Sequence, residues 1–196
     1  MKDDIKNLWP GARVVCMASG PSLHADDVDL VRETGLRTIV VNTTYTIAPW
    51  ADVLYAMDSA WWATHGKDVT HFSGLKLCAA QAAERHGAKQ IVGTGAVKAA
   101  GNSGAGAIVL AAYMGASEII LLGYDCKRAD DGRVHWHGDH PKGLTNATSL
   151  QRWPAQMDRA RHEAMRTAKR IVNCSRDTAL TCFERAELED VLCSRS

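Results

Sequence analysis

Arg13-Val14-Val15-Cys16-Met17-Ala18-Ser19-Gly20-Pro21-Ser22-Leu23 is the stretch on which the fold turns. Its first five residues read as a buried strand. The next six read as a strand-to-helix phosphate loop. Glycine at position 20 lets a backbone approach a phosphate closely. Pro21 stiffens the turn, and Ser22 either caps the next helix or donates its hydroxyl to an oxyanion. The helix N-terminus beyond adds N–H groups and a partial positive charge. This is not a Walker loop, because no Gly-Lys-Ser/Thr is present, and it is not a full dinucleotide fingerprint. The competing interpretation is a plain tight turn.

Outward from this loop, short apolar runs alternate with helical stretches. Helix is expected over Asp26–Glu33 with Gly35 as its C-cap. Strands are expected at Arg37–Asn42, Asp52–Asp58, Leu75–Cys78, Lys89–Val92, Glu118–Leu122 and Ile171–Cys174. Further helices are expected at Ser103–Met114, Trp153–Lys169 with Pro154 in its first turn, and Glu184–Leu192. That alternation predicts right-handed βαβ units and an α/β fold: one Rossmann-like domain over residues 1–196, its mostly parallel sheet covered by helices on both faces. There is no internal repeat and no linker. One long irregular segment, Lys127–Arg152, has the length of a functional lid loop.

Composition narrows the class. Of 196 residues, 46% are hydrophobic and 23% charged, with a net charge of +1, so the chain carries no strong nucleic-acid signal. No apolar run is long enough to span a bilayer, and the charged Met1-Lys2-Asp3-Asp4 start lacks an apolar signal core, so a cytoplasmic protein is expected. None of the six cysteines lies in a C-x-x-C pair, which fits small buried hydrophobes better than disulfides or zinc ligands.

In a parallel sheet, ligands collect beyond the carboxyl ends of the strands. A second small-residue turn, Gly101-Asn102-Ser103-Gly104, opens the alanine-rich helix there. Two helix N-termini at one sheet edge suit two phosphates, or a phosphate and a sugar. Asn42 at the end of strand two suits a base or ribose. Asp58 and Asp125, at strand ends, suit a metal or sugar hydroxyls, or simply cap turns.

Gly20-Pro21-Ser22-Leu23, Asn42, Asn102-Ser103-Gly104 and Glu118-Ile119-Ile120-Leu121-Leu122-Gly123-Tyr124-Asp125 resemble the nucleotide-site motifs of bacterial lipo-oligosaccharide sialyltransferases. The same loop and strand resemble hydroxymethylpterin diphosphokinase-like proteins. Over most of its length the chain is similar to proteins of tailed phages and prophages that carry Pro-Trp-Ala-Asp, Asn-Ser-Gly, Leu-Leu-Gly-Tyr-Asp and His-Trp-His-Gly-Asp-His segments. The resemblance implies a phage- or prophage-encoded protein acting in a bacterial host cell. It implies a Rossmann-like fold whose donor is a small-molecule nucleotide or nucleotide-sugar, CMP-linked or another nucleoside phosphate. Gly20, Pro21, Ser22, Asn42, Asn102, Ser103 and Gly104 would surround that donor, and Tyr124, in the matching strand motif, and Asp58, from its place at a strand end, are expected to join them. A lid histidine would be the general base, and a homo-oligomer is implied because the related enzymes often form one. After Asp125 the chain departs from the sialyltransferases: Cys126-Lys127-Arg128 stands where they have an aromatic run. Donor base, sugar and acceptor stay open.

His135-Trp136-His137-Gly138-Asp139-His140 matches the H-x-H-x-D-H metal pattern of the metallo-β-lactamase fold. That fold needs further spaced histidine and aspartate ligands, and only one histidine, His162, follows. It also begins with antiparallel strands, whereas this chain begins with a strand, a phosphate loop and a helix. Two narrower interpretations remain, besides a merely solvated loop. His135, His137, Asp139 and His140 could hold one divalent metal. Alternatively the segment is a lid whose His140 or His137 serves as base, imidazole having a pKa near neutrality. Lys127, Arg128, Lys142 and Arg152 flank it and could neutralise a departing phosphate, and Trp61, Trp62, Trp136 and Trp153 could stack on a base or form core.

The expectation is a transferase using a nucleotide-linked donor, most nearly a sialyltransferase-like glycosyltransferase, with Asp125 holding the lid strand or sugar hydroxyls. The alternatives are a metal-dependent phosphotransferase or phosphohydrolase, and a non-catalytic nucleotide-binding protein.

Overall fold

A computed structural model describes residues 4–79, 81–138, 144 and 149–194, with residues 81–83 described by backbone alone. Eight parallel strands form one sheet: β1 (Arg13–Met17), β2 (Arg37–Val41), β3 (Val53–Ala56), β4 (Leu75–Cys78), β5 (Lys89–Gln90), β6 (Glu118–Leu122), β7 (Arg170–Asn173) and β8 (Glu184–Arg185). Their spatial order is β5-β4-β3-β2-β1-β6-β7-β8. This is the Rossmann-like α/β architecture that the alternating pattern predicts.

Both faces of the central strands are buried, so the strands read as continuous apolar runs instead of alternating ones. Alternate residues still serve different cores. Val14, Cys16, Ile119 and Leu121 pack on one face with α3 (Gly95–Ala99), α4 (Ser103–Tyr113) and α5 (Trp153–Ala164). Val15, Met17, Ile120 and Leu122 pack on the other with α1 (Ala25–Thr34), α2 (Ser59–His65) and α6 (Leu188–Cys193). No helix among the described residues is long and apolar enough to cross a membrane. All six cysteines are free thiols.

Gly35 ends α1 in the left-handed region at φ 66°, as its position predicts. Three expectations need correction. Ser22 does not cap α1: His24 does, in a capping box with Asp27. The helix expected over Trp153–Lys169 stops at Ala164, because the chain must turn there to enter β7 at Arg170. The last helix expected from Glu184 begins at Leu188, and Glu184–Arg185 instead forms the edge strand β8, held by an ion pair from Glu184 to Arg170.

β1 pairs with β2 on one side and β6 on the other. The chain therefore leaves β1 in one direction and returns on its other side, which makes the carboxyl ends of β1 and β6 the topological switch point.

Candidate functional site

A cavity of about 250 Å³ opens at this switch point. Each strand that ends there supplies part of its wall. Ala18, Ser19 and Gly20 come from β1, Asn42 from β2, Asp58 from the β3–α2 junction, and Gly123 to Lys127 from β6. Gly101 to Gly104 arrive at the start of α4, Trp153 and Met157 from α5, and Val134 and His135 from the irregular segment after β6. The expected residues Gly20, Asn42, Asp58, Asn102, Ser103, Gly104, Tyr124, Asp125 and His135 thus meet in one cavity. Pro21, Ser22 and His137 are not among the lining residues. Asp139, His140 and Lys142 lie outside the described residues.

The two helix N-termini at this edge differ in kind. At α1, the loop's donors are used inside the protein. Ser22 donates its N–H to Asp125 Oδ2 at 2.7 Å and its hydroxyl to Asp125 Oδ1 at 2.8 Å. Asp26 and Asp27 add negative charge to the first turn. Ser22 does donate to an oxyanion, but the oxyanion is the side chain of Asp125. Gly20 is required here because a Cβ would lie 2.3 Å from Asp125 Oδ1 and 2.5 Å from the Gly123 carbonyl. The Gly20 N–H donates to that same carbonyl at 2.9 Å. Gly123 sits at φ 68°, and a Cβ there would lie 2.4 Å from the Ala18 carbonyl oxygen.

At α4 the first turn carries no acidic residue. Asn102 caps it by accepting the Ala105 N–H at 2.9 Å, and its amide donates to Gln156 at 2.6 Å. The Ser103 hydroxyl accepts the Met57 N–H at 3.0 Å, tying the turn to the end of β3. The backbone N–H groups of Ser103 and Gly104, the first two of the helix, have no acceptor within it, and both residues line the cavity. Of the two termini, α4 has the chemistry to receive an anion, with free N–H groups and no acid in its first turn.

Asp125 is 2% exposed. Burial pushes its pKa up to about 6, opposed by the two Ser22 hydrogen bonds and by Lys127, and reinforced by Asp177. Lys127 lines the cavity with its ammonium paired to Asp177 at 2.6 Å. Tyr124 is also buried, its hydroxyl donating to the Gly104 carbonyl at 3.0 Å, and burial raises its pKa well above the usual phenol value. Asn42 leaves β2 at φ 51°, and its buried Oδ1 has no hydrogen-bond partner among the described residues. Asn42 lines the cavity, and a ligand donor that reached this acceptor would satisfy it.

The histidine segment is fastened to the loop through Ser19, whose Oγ lies 3.0 Å from His135 Nδ1 and whose carbonyl accepts the Trp136 N–H at 3.0 Å. The rings of His135 and His137 stack with centroids 5.2 Å apart and planes 6° apart. Among the described residues no group of three His, Cys, Asp or Glu side chains is placed to hold a metal ion. Trp61 and Trp62 are core residues, Trp62 donating to the Ala56 carbonyl, whereas Trp153 lines the cavity. The Arg128 guanidinium donates to the Gly132 carbonyl at 2.9 Å.

Ser19, Met157 and Ser149 line the cavity without having been singled out as site residues. Ser19 stands inside the loop that decides the fold, so its position was a usable signal. Met157 and Ser149 carry no motif and reach the site only through the packing of α5. No family model, curated protein or solved structure matches the chain.

Proposed function

We propose that the protein is a transferase acting on a nucleotide-linked donor, in line with the resemblance of its motifs to sialyltransferase-like glycosyltransferases. The observation that carries this reading is the acid-free N-terminus of α4 opening into a switch-point cavity. The N–H groups of Ser103 and Gly104 would take the donor phosphate. Asn42, through its unpartnered Oδ1, and Asn102 would orient the nucleoside or sugar. Gly20 keeps the wall thin enough for the loop to lie against Asp125, and Asp125 holds the loop instead of the ligand. His137 or His140 would deprotonate the acceptor hydroxyl. Catalysis would rest on positioning and on stabilising the departing phosphate.

A thermal-shift screen of nucleoside phosphates and nucleotide sugars, with and without divalent metals, tests this reading. Cytidine nucleotides are expected to raise the Tm, since a ligand at a hundred times its Kd stabilises the native state by about 2.7 kcal/mol. Gly104→Val, which places a side chain at the anion seat, should abolish the shift. No response to any nucleotide would refute the reading. A shift with zinc or manganese alone, lost in His137→Ala, would favour the metal-dependent phosphotransferase or phosphohydrolase. Binding without turnover of any donor would favour a nucleotide-binding protein.

A further inference from the structure

Five of the six tryptophans serve a core. Trp9 lies in the core on the α4 face of the sheet, Trp61 and Trp62 lie in the other, and Trp50 and Trp136 pack against that second core. Trp153 belongs to neither core among the described residues. It is half-buried in the wall of the switch-point cavity. The other two aromatic rings in that wall are covered, Tyr124 being 1% and His135 7% exposed. Indole carries one polar group, a donor. The Trp153 N–H already goes to Ser149 Oγ at 3.1 Å, so what Trp153 offers the cavity is ring surface. Its place is fixed against the N-terminus of α4. Trp153, Gln156 and Met157 share one face of α5 by their spacing. Gln156 accepts from the Asn102 amide at 2.6 Å and donates to the Gly101 carbonyl at 3.4 Å. A Cβ on Gly104 would lie 3.1 Å from Met157 Cε. Trp153 stands three and four residues before these contacts, a step of about 4.5–6 Å at 1.5 Å per residue. A pentose spans such a gap between a phosphate and a base.

We infer that Trp153 is a specificity-determining residue, the platform on which the base of a nucleotide stacks while its phosphate lies at the N-terminus of α4. The phosphate rests on the transferase reading above, and the base rests on Trp153. Stacking needs a planar ring and reads no base edge. Trp153 therefore selects nucleotides over sugar phosphates and leaves the choice among bases to the polar wall. Pro154 follows it and the Ser149 bond holds its indole, so the ring is in place before a ligand arrives.

Calorimetric titration of the full chain with the common ribonucleoside 5′-monophosphates and with ribose 5-phosphate tests it, with tryptophan emission followed in parallel. Trp153→Leu is expected to weaken nucleotide binding about 5- to 100-fold, the usual worth of one base stack, and to leave ribose 5-phosphate unchanged. Trp153→Phe keeps a ring. It should bind nucleotides within a few-fold of the wild type, yet lose the emission change that they cause there. Equal nucleotide affinity in the wild type and Trp153→Leu overturns the inference and leaves the transferase reading standing. An equal loss in the Leu and Phe variants would show that Trp153 only shapes the wall, and overturns it as well. So does a wild-type emission that nucleotides leave unmoved, or a change that survives undiminished in Trp153→Phe. No nucleotide binding by the wild type refutes the transferase reading, and the inference falls with it.

Discussion

At the residue scale, Asp125 takes the place that the phosphate loop would offer to a ligand. Its carboxyl titrates near pH 6, against about 3.9 for an unperturbed aspartate. The folded chain thus binds this proton more tightly than the unfolded chain. Between about pH 4 and pH 6 the folded state holds more of it, so stability falls as pH rises through that window. At about 1.4 kcal/mol per pH unit the fall comes to about 2–3 kcal/mol. Asp125→Asn titrates nothing. Denaturant unfolding at pH 4, 5, 6 and 7 should show the variant gaining about that much on the wild type across the series. Parallel curves would show that Asp125 ionises in the folded chain as it does in water.

At the scale of the element, α4 is shaped by what lies beneath it. Replacing a glycine inside a helix by alanine normally stabilises by about 1 kcal/mol. Gly106 should behave in the opposite way. A Cβ there would lie 2.6 Å from Tyr55 Oη, and Tyr55 is fully buried. Gly106→Ala is expected to destabilise by about 1–3 kcal/mol through overpacking. Tyr55 Oη has no hydrogen-bond partner among the described residues, so Tyr55→Phe should stabilise by about 1 kcal/mol. Paired denaturant melts of the two variants check both signs. A stabilising Gly106→Ala would mean that Tyr55 moves aside without cost.

At the scale of the whole molecule, the sheet is clamped at the end opposite the cavity. Parallel register sets Arg13 beside Glu118 and Glu118 beside Arg170. Glu118, 8% exposed, pairs with both arginines, and Arg170 also pairs with Glu184 of β8 at 2.5 Å. Removing the shared carboxylate leaves two guanidinium groups facing each other. Glu118→Ala should lower the unfolding free energy by about 2–4 kcal/mol, less than for a fully buried pair because Arg170 keeps Glu184. A loss below about 0.5 kcal/mol, an exposed-site value, would show that the cluster is as weak as a surface pair. Both edge strands, β5 and β8, are two residues long, which limits edge-to-edge pairing of sheets.

How much of this was legible depended on range along the chain. The apolar runs of β1, β2, β3 and β6, the Gly35 cap and the small-residue turn that opens α4 are local signals, and the chain order of strands and helices allows few topologies. The parallel sheet and the convergence of Gly20, Asn42, Asp58, Ser103 and Asp125 at its carboxyl edge follow from them. β8 is too short to carry a pattern, and the end of α5 is set by where β7 must begin. The loop after β1 was readable as a tight Gly-Pro-Ser turn, but not which anion it would hold. That was decided by Asp125, 103 residues away, which reaches Ser22 only because β1 and β6 are neighbours in register. Local pattern determines where the chain turns and which faces are apolar. Pairing of buried polar groups is decided by packing, because each buried donor takes whatever acceptor the folded neighbours bring within reach. The helix N-terminus that opens acid-free into the cavity therefore belongs to α4 and not to the loop on which the fold was first read.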